Sequence, residues 1–187
     1  MMKIDIQEQL SYYNPFDKDE AVSLSKILNF FTICEDFFSR KNERGHITAS
    51  AWILSKDRTH TLLCHHKKLN KWLQLGGHVE ECDNTVGEAA LRESIEESGI
   101  QSVKSLQTAI FDIDVHLIPI KNDEPEHLHY DIRYLFTVDT DDYIVSNEAN
   151  GLMWVDIRQI FTMQSEHSIL RMAKKSLNIL VNQPTHR

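Results

Sequence analysis

The segment Gly76-Gly77-His78-Val79-Glu80, followed by Arg92-Glu93-Ser94-Ile95-Glu96-Glu97-Ser98-Gly99-Ile100, constrains this chain more than any other stretch. Glu93, Glu96 and Glu97 stand at i, i+3 and i+4, so on a helix all three project from one face. Like charges at that spacing cost roughly a few tenths of a kcal/mol per pair, a penalty that a divalent cation reverses. Hard oxygen ligands of this kind suit Mg²⁺ or Mn²⁺ better than Zn²⁺. The plain alternative is a solvated acidic helix face. The surrounding residues supply the helix: Thr85-Val86-Gly87-Glu88 has the form of a capping box, and Ala89, Ala90, Leu91 and Ile95 give it a buried side. Gly99 suits the stop, which predicts a helix over about 86–98. The preceding glycine pair permits a tight turn.

These residues resemble the Nudix box, G-x5-E-x7-R-E-U-x-E-E-x-G-U with U a bulky aliphatic residue, the signature of the Nudix hydrolases (MutT-like). With Gly77 as the first glycine, Arg92-Glu93-x-x-Glu96-Glu97-x-Gly99-Ile100 follows the second half of the pattern. The interval from Gly77 to Arg92 is one residue too long, the first acidic position falls near Asp83, and Ser94 stands where a bulky aliphatic residue is expected. His46-Ile47-Thr48-Ala49-Ser50 and the run Leu69-Asn70-Lys71-Trp72-Leu73-Gln74-Leu75 into the glycines also look like one subgroup of the family. The resemblance spans about residues 44–160.

The resemblance implies an α/β Nudix fold, a mixed β-sheet sandwiched between helices, with an N-terminal helical extension over 1–43 and a Nudix hydrolase domain over 44–187. Nudix hydrolases cleave a diphosphate linkage in nucleoside diphosphate derivatives such as nucleotide sugars, ADP-ribose, dinucleotides or nucleoside triphosphates. On this reading Glu93, Glu96 and Glu97 are catalytic and, with the backbone carbonyl of Gly76, hold the metal, Mg²⁺ or Mn²⁺. Glu93 is the first choice for the base that takes a proton from water; Glu148, Asp139, Glu126 and Glu124 are the alternatives. Arg92 is expected to pair with an acid near Asp83, with Glu81 and Asn84 as other candidates. A non-catalytic Nudix-fold nucleotide-binding or regulatory domain is the competing reading. An isopentenyl diphosphate isomerase, which shares the fold, ranks last because its cysteine motif is not evident around Cys64 or Cys82.

Away from the box, Ile47–Leu54, Thr61–His65 and Trp72–Leu75 read as short strands, and residues 166–181 as a closing amphipathic helix. In 111–117 and 128–136 apolar and polar residues alternate. If those two strands pair, Asp112, Asp114, His116, His127, His129, Asp131 and Arg133 share one polar patch. His129, Asp131 and Arg133 are expected to bind substrate from a cleft wall, by phosphate or leaving-group contacts; a solvated strand face is the equal alternative. Trp52, Trp72, Tyr130 and Tyr134 suit packing better than stacking on a base. His65-His66 and His127-x-His129 invite a zinc reading, but their spacing fits no familiar structural zinc pattern.

The N-terminal segment has two parts. Residues 1–16 lack a clear period and read as an arm, whereas Val22, Ile27, Phe30, Phe31, Cys34, Phe37 and Phe38 recur at helical spacing over about 18–40. A face that aromatic is expected to pack on the domain rather than mediate dimerisation, although a homodimer is compatible with it. Three cysteines without a C-x-x-C pair fit reduced thiols and a cytoplasmic setting. No stretch has the length to span a membrane. The formal charge of −8 disfavours nucleic-acid backbone as a partner, leaving a small-molecule nucleotide substrate. An acidic protein attracts such an anion only through local positive charge, which a bound cation supplies.

Overall fold

In the strand β1 (Gly45–Leu54) all ten residues are buried, because successive side chains enter two different cores. Ile47, Ala49, Ala51 and Ile53 join one apolar cluster, and Trp52 and Leu54 join the other. Burial on both faces is what a central strand flanked by helices requires. The computed structural model describes residues 2–67, 70–120, 125–145 and 149–182. Around β1 the other strands are β2 (His60–His66), β3 (Lys71–Leu73), β4 (Leu75–His78), β5 (Lys104–Ser105), β6 (Asp112–Ile118), β7 (His127–Thr137) and β8 (Ala149–Asp156). β1 runs parallel to β7, from Gly45 opposite Leu128 to Leu54 opposite Thr137, and antiparallel to β2 and β4. β6 and β5 pair with β7, and β3 and β8 with β2, all antiparallel.

The helices are α1 (Met2–Ser11), α2 (Lys18–Ile33), α3 (Val86–Ser98) and α4 (His167–Asn182), with a short 3₁₀ turn at Gln159–Thr162. α1, α2 and α3 contribute Ile6, Leu10, Ile27, Phe30, Val86 and Ala89 to the cluster that contains Ile47. α4 contributes Ile169, Met172 and Ala173 to the cluster on the opposite face, beside Trp52 and Leu135. The sheet is mixed and lies between helices, the architecture expected of a Nudix fold.

The N-terminal segment departs from its reading in two places. Residues 2–11 are helical rather than an irregular arm; Ile6 and Leu10, four apart, are fully buried, and removing each from water is worth about 1.5–3 kcal/mol. The next helix stops at Ile33 instead of continuing to 40. Cys34 is extended, and the carbonyl of Phe37 accepts a hydrogen bond from the Ile47 N–H at 2.7 Å, an edge contact that a helix cannot provide. Phe37 still reaches the core, edge-on to Phe31. Tyr130 stacks on Phe30 at 4.0 Å, and Trp52, Tyr130 and Tyr134 are buried as packing residues.

Candidate functional site

α3 forms over the span the sequence predicts, and both of its ends are capped. Thr85 accepts a hydrogen bond from the Glu88 N–H, and Gly99 takes the left-handed conformation at φ 70°. Ser94, the small residue in an aliphatic position of the box, is fully buried with its hydroxyl satisfied by the Leu91 carbonyl at 2.6 Å. That helix brings its acidic face against β4. The Gly76 N–H donates to Glu97 Oε2 at 2.8 Å. A Cβ on Gly77 would lie 2.5 Å from the carboxyl carbon of Glu93, so only glycine leaves room for that carboxylate. Gly76 itself sits at φ +149°, against the backbone of Ala49 and Ser50.

Arg92 organises the acids. Its Nε and Nη2 grip the two oxygens of Asp83 at 3.0 and 2.9 Å, Nη2 also reaches the His78 carbonyl at 2.9 Å, and Nη1 contacts Glu93 at 2.9 Å and Glu96 at 3.1 Å. Of the three partners considered from sequence, Asp83 is the one the guanidinium engages. The interval Gly77–Asp83 matches the box, so the additional residue lies between Asp83 and Arg92, where Asn84 leads into α3. Burial opposes ionisation of Asp83, but hydrogen bonds from Arg92 and the Glu80 N–H hold its carboxyl below the usual range. The hydrogen bond to Asp83, added to the contacts with Glu93, pushes the Arg92 guanidinium further up.

This donor set suits a hard divalent cation. Three carboxylates project from one helix face, and two of them, Glu93 and Glu97, lie against the glycine pair. In the conformation described, Glu97 is turned to the Gly76 N–H, while Glu93 and Glu96 are drawn onto Arg92.

The expected substrate-binding trio divides. β6 and β7 do pair, with Asp112 opposite Arg133, Asp114 opposite Asp131 and His116 opposite His129. The resulting polar face, however, is largely roofed over. Asp131 is 1% exposed and Arg133 2%, so neither lines an open wall. Asp131 accepts from Thr48 at 3.0 Å, Ser50 at 2.8 Å, Gln74 at 3.0 Å and Arg133 at 2.7 Å. Arg133 also pairs with Asp112 at 3.0 Å. Asp112 in turn accepts from Arg171 at 2.8 Å and pairs with Lys175 at 2.9 Å, both from α4. Glu20, fully buried on α2, completes the network through Lys175, Tyr13 and the Ile113 N–H. Charges so enclosed persist only because each meets its counter-charge. Arg171, Lys175 and Glu20 were missed from sequence. His129 is half-buried at the far end of this face.

Among the alternative bases, Asp139 pairs with Lys104 at 2.5 Å, beyond the end of β7. Ile132 lies level with Gly77 across β1, and Asp139 follows it by seven residues, about 23 Å of extended chain. Glu126 is exposed just before β7; Glu124 and Glu148 lie outside the described residues. No helix among the described residues is long and apolar enough to cross a membrane.

Comparison with known proteins gives the same picture. The family profile described as NUDIX domain matches residues 44–174. A hydrolase of the NUDIX family from Clostridium perfringens is 26% identical, with a TM-score of 0.55 over 74% of this chain and 99% of that one. The fold is also that of a Caenorhabditis elegans Ap4A hydrolase, 17% identical, with a TM-score of 0.57 over 73% of this chain and 98% of that one. An Escherichia coli dihydroneopterin triphosphate pyrophosphohydrolase shares it at 15% identity, with a TM-score of 0.50 over 71% and 95%. No curated protein sequence matches the chain significantly. With 44–174 under one profile and the box closed on its glycine pair, the chain belongs to the Nudix family and is a Nudix-type hydrolase.

Proposed function

We propose that the protein hydrolyses a diphosphate linkage in a nucleoside diphosphate derivative, with Mg²⁺ or Mn²⁺ held by Glu93, Glu96, Glu97 and the Gly76 carbonyl. The observation that carries this reading is the approach of the α3 glutamates to the Gly76–Gly77 backbone, with Glu93 occupying the space a side chain on Gly77 would fill. A divalent cation bound there would neutralise phosphate charge and lower the pKa of an attacking water. Glu93 is the proposed proton acceptor, positioned by Arg92 on one side and Gly77 on the other. Arg92 is a positioning residue, since Asp83 and the His78 carbonyl occupy most of its donors. Residues 44–187 form the catalytic unit in this reading, and 1–43 an extension packed on it. The three free cysteines accord with action in a reducing, cytoplasmic compartment.

The test is phosphate or nucleotide release from a panel of nucleotide sugars, ADP-ribose, dinucleoside polyphosphates and nucleoside triphosphates, with Mg²⁺ or Mn²⁺. Wild type is compared with Glu96→Gln and Glu97→Gln. Turnover of one substrate class, lost in both variants, supports the proposal. A protein that binds nucleotide yet turns over nothing refutes it in favour of a binding domain.

A further inference from the structure

The register of four strands gathers histidines that are scattered in sequence. His46 on β1 stands opposite His129 on β7, which stands opposite His116 on β6; His127 enters from the start of β7 and His78 from the end of β4. Ring centroids lie 4.7 Å apart for His46 and His129, and 5.2 Å for His127 with each of them. His78 is 4.9 Å from His46, and His116 is 5.6 Å from His129. Ligating atoms of His46, His127 and His129 all fall within 4.8 Å of one another.

His46 is the decisive member. It is 2% exposed, and neither ring nitrogen has a hydrogen-bond partner among the described residues. An imidazole enclosed in that way leaves a lone pair and an N–H unsatisfied, at a cost of about 1–3 kcal/mol for each group. His127 is prepared differently: its Nδ1 lies 2.9 Å from the Pro125 carbonyl, where it can only donate, so Nε2 carries the lone pair. A backbone carbonyl holding the remote nitrogen is the usual arrangement behind a metal-ligating histidine.

We propose that His46, His127 and His129 form a second metal site, separate from the box glutamates, which takes a borderline transition-metal ion of the Zn²⁺ class. Imidazole donors select such ions over Mg²⁺. Tetrahedral coordination with Zn–N bonds near 2.05 Å sets the nitrogens about 3.3 Å apart, so the rings need to close by no more than about 1.5 Å. His78 or His116 is placed to supply a fourth ligand.

The experiment titrates the metal-stripped protein with Co²⁺, reading the visible d–d bands of a tetrahedral centre, and then displaces the Co²⁺ with Zn²⁺. One equivalent is expected in wild type and in Glu96→Gln/Glu97→Gln, with excess Mg²⁺ failing to compete. His127→Ala and His129→Asn should weaken binding at least about 10-fold; His127, half-buried at a strand start, is the safer substitution for folding. X-ray absorption of the Zn²⁺-loaded wild type needs no variant and should show at least three imidazole ligands. Absence of tetrahedral bands, bands unaltered in the histidine variants, bands lost only in the glutamate variant, or an all-oxygen zinc shell would each overturn the proposal.

Discussion

Alanine at the two adjacent glycines of the box should separate in stability, with Gly77→Ala losing turnover from a folded protein and Gly76→Ala losing the fold's stability as well. At Gly77 the atoms nearest an added Cβ are those of the Glu93 carboxylate, at 2.5–2.6 Å. Ordinary contact begins at 3.4 Å, so the carboxylate must withdraw by about 0.9 Å, which a flexible side chain does at little cost. Stability should change by less than about 1 kcal/mol, the range of a substitution that finds room. A misplacement near 1 Å at a catalytic group costs about 10²-fold in rate. At Gly76 the added Cβ meets the Ala49 carbonyl oxygen and Ser50 Cα at 2.6 Å, with φ at +149°. There the backbone strain alone is worth about 1–3 kcal/mol, before β4 is pushed from β1. Gly76→Ala should therefore lower Tm by roughly 2–12 °C from that strain alone, at about 2–4 °C per kcal/mol for a chain of this size. Thermal melts and Mg²⁺-dependent turnover of the substrate found in the panel, measured on both variants, check this. A double variant Gly77→Ala/Glu93→Ala should be no worse than Glu93→Ala, because the two changes act on one group. Full turnover by Gly77→Ala, or a melting loss equal to that of Gly76→Ala, would refute the reasoning.

Arg133→Met should cost about 3–5 kcal/mol in urea unfolding, because it removes the cation that the buried Asp131 pairs with and one of the three around Asp112; a change under about 1 kcal/mol would contradict the network. Burial pushes the Asp112 carboxyl up, but hydrogen bonds from Arg171 and the charges of Arg133 and Lys175 bring it below its usual range overall. Its contribution is thus fully present above about pH 4, the unfolded value, and is lost as pH falls through the folded value. Asp112→Asn should correspondingly flatten the acid limb of stability against pH, read by calorimetry. Arg92→Lys keeps the charge but not the fork that grips Asp83; it should lower stability by about 1.5–3 kcal/mol and reduce turnover, by melting and by rate assay.

Local signals carried α3. The Thr85 cap, the Gly99 stop and the spacing of its three glutamates are short-range features, and each is where the sequence implied. Strand alternation likewise separated Tyr130 and Ile132 from His129 and Asp131. Alternation cannot say what covers a polar face, however. The partners of Asp112 lie 21 residues away at Arg133 and 59 away at Arg171, and Glu20 reaches Ile113 across 93 residues. Arg171 and Lys175, four apart, read as ordinary basic positions on an amphipathic helix until α4 is docked. The histidines escaped for the same reason. His127-x-His129 was visible, but His46 joins it only through the parallel pairing of β1 with β7, strands separated by most of the domain. Helix α1 was missed because Ile6 and Leu10 are too few to set a period; their burial comes from the body they pack on.

The charge cluster around Asp112 ties together the two ends of the chain. Glu20 arrives from the head and Lys175 from the tail, and the two meet beside the same carboxylate. The closure resembles a non-covalent circularisation: peeling α4 away takes Arg171 and Lys175 from the buried Glu20, and peeling α2 away leaves Lys175 with Asp112 alone. α2 and α4 should therefore open as one cooperative unit, with hydrogen-exchange protection that rises and falls together rather than decaying independently toward each terminus. It also bears on cutting the protein to size. A fragment trimmed to the matched segment, 44–174, would discard Glu20 and stop one residue short of Lys175. Asp112 would then keep Arg133 and Arg171 but lose the pair that joins the ends, and the face of Tyr130 that stacks on Phe30 would be left bare.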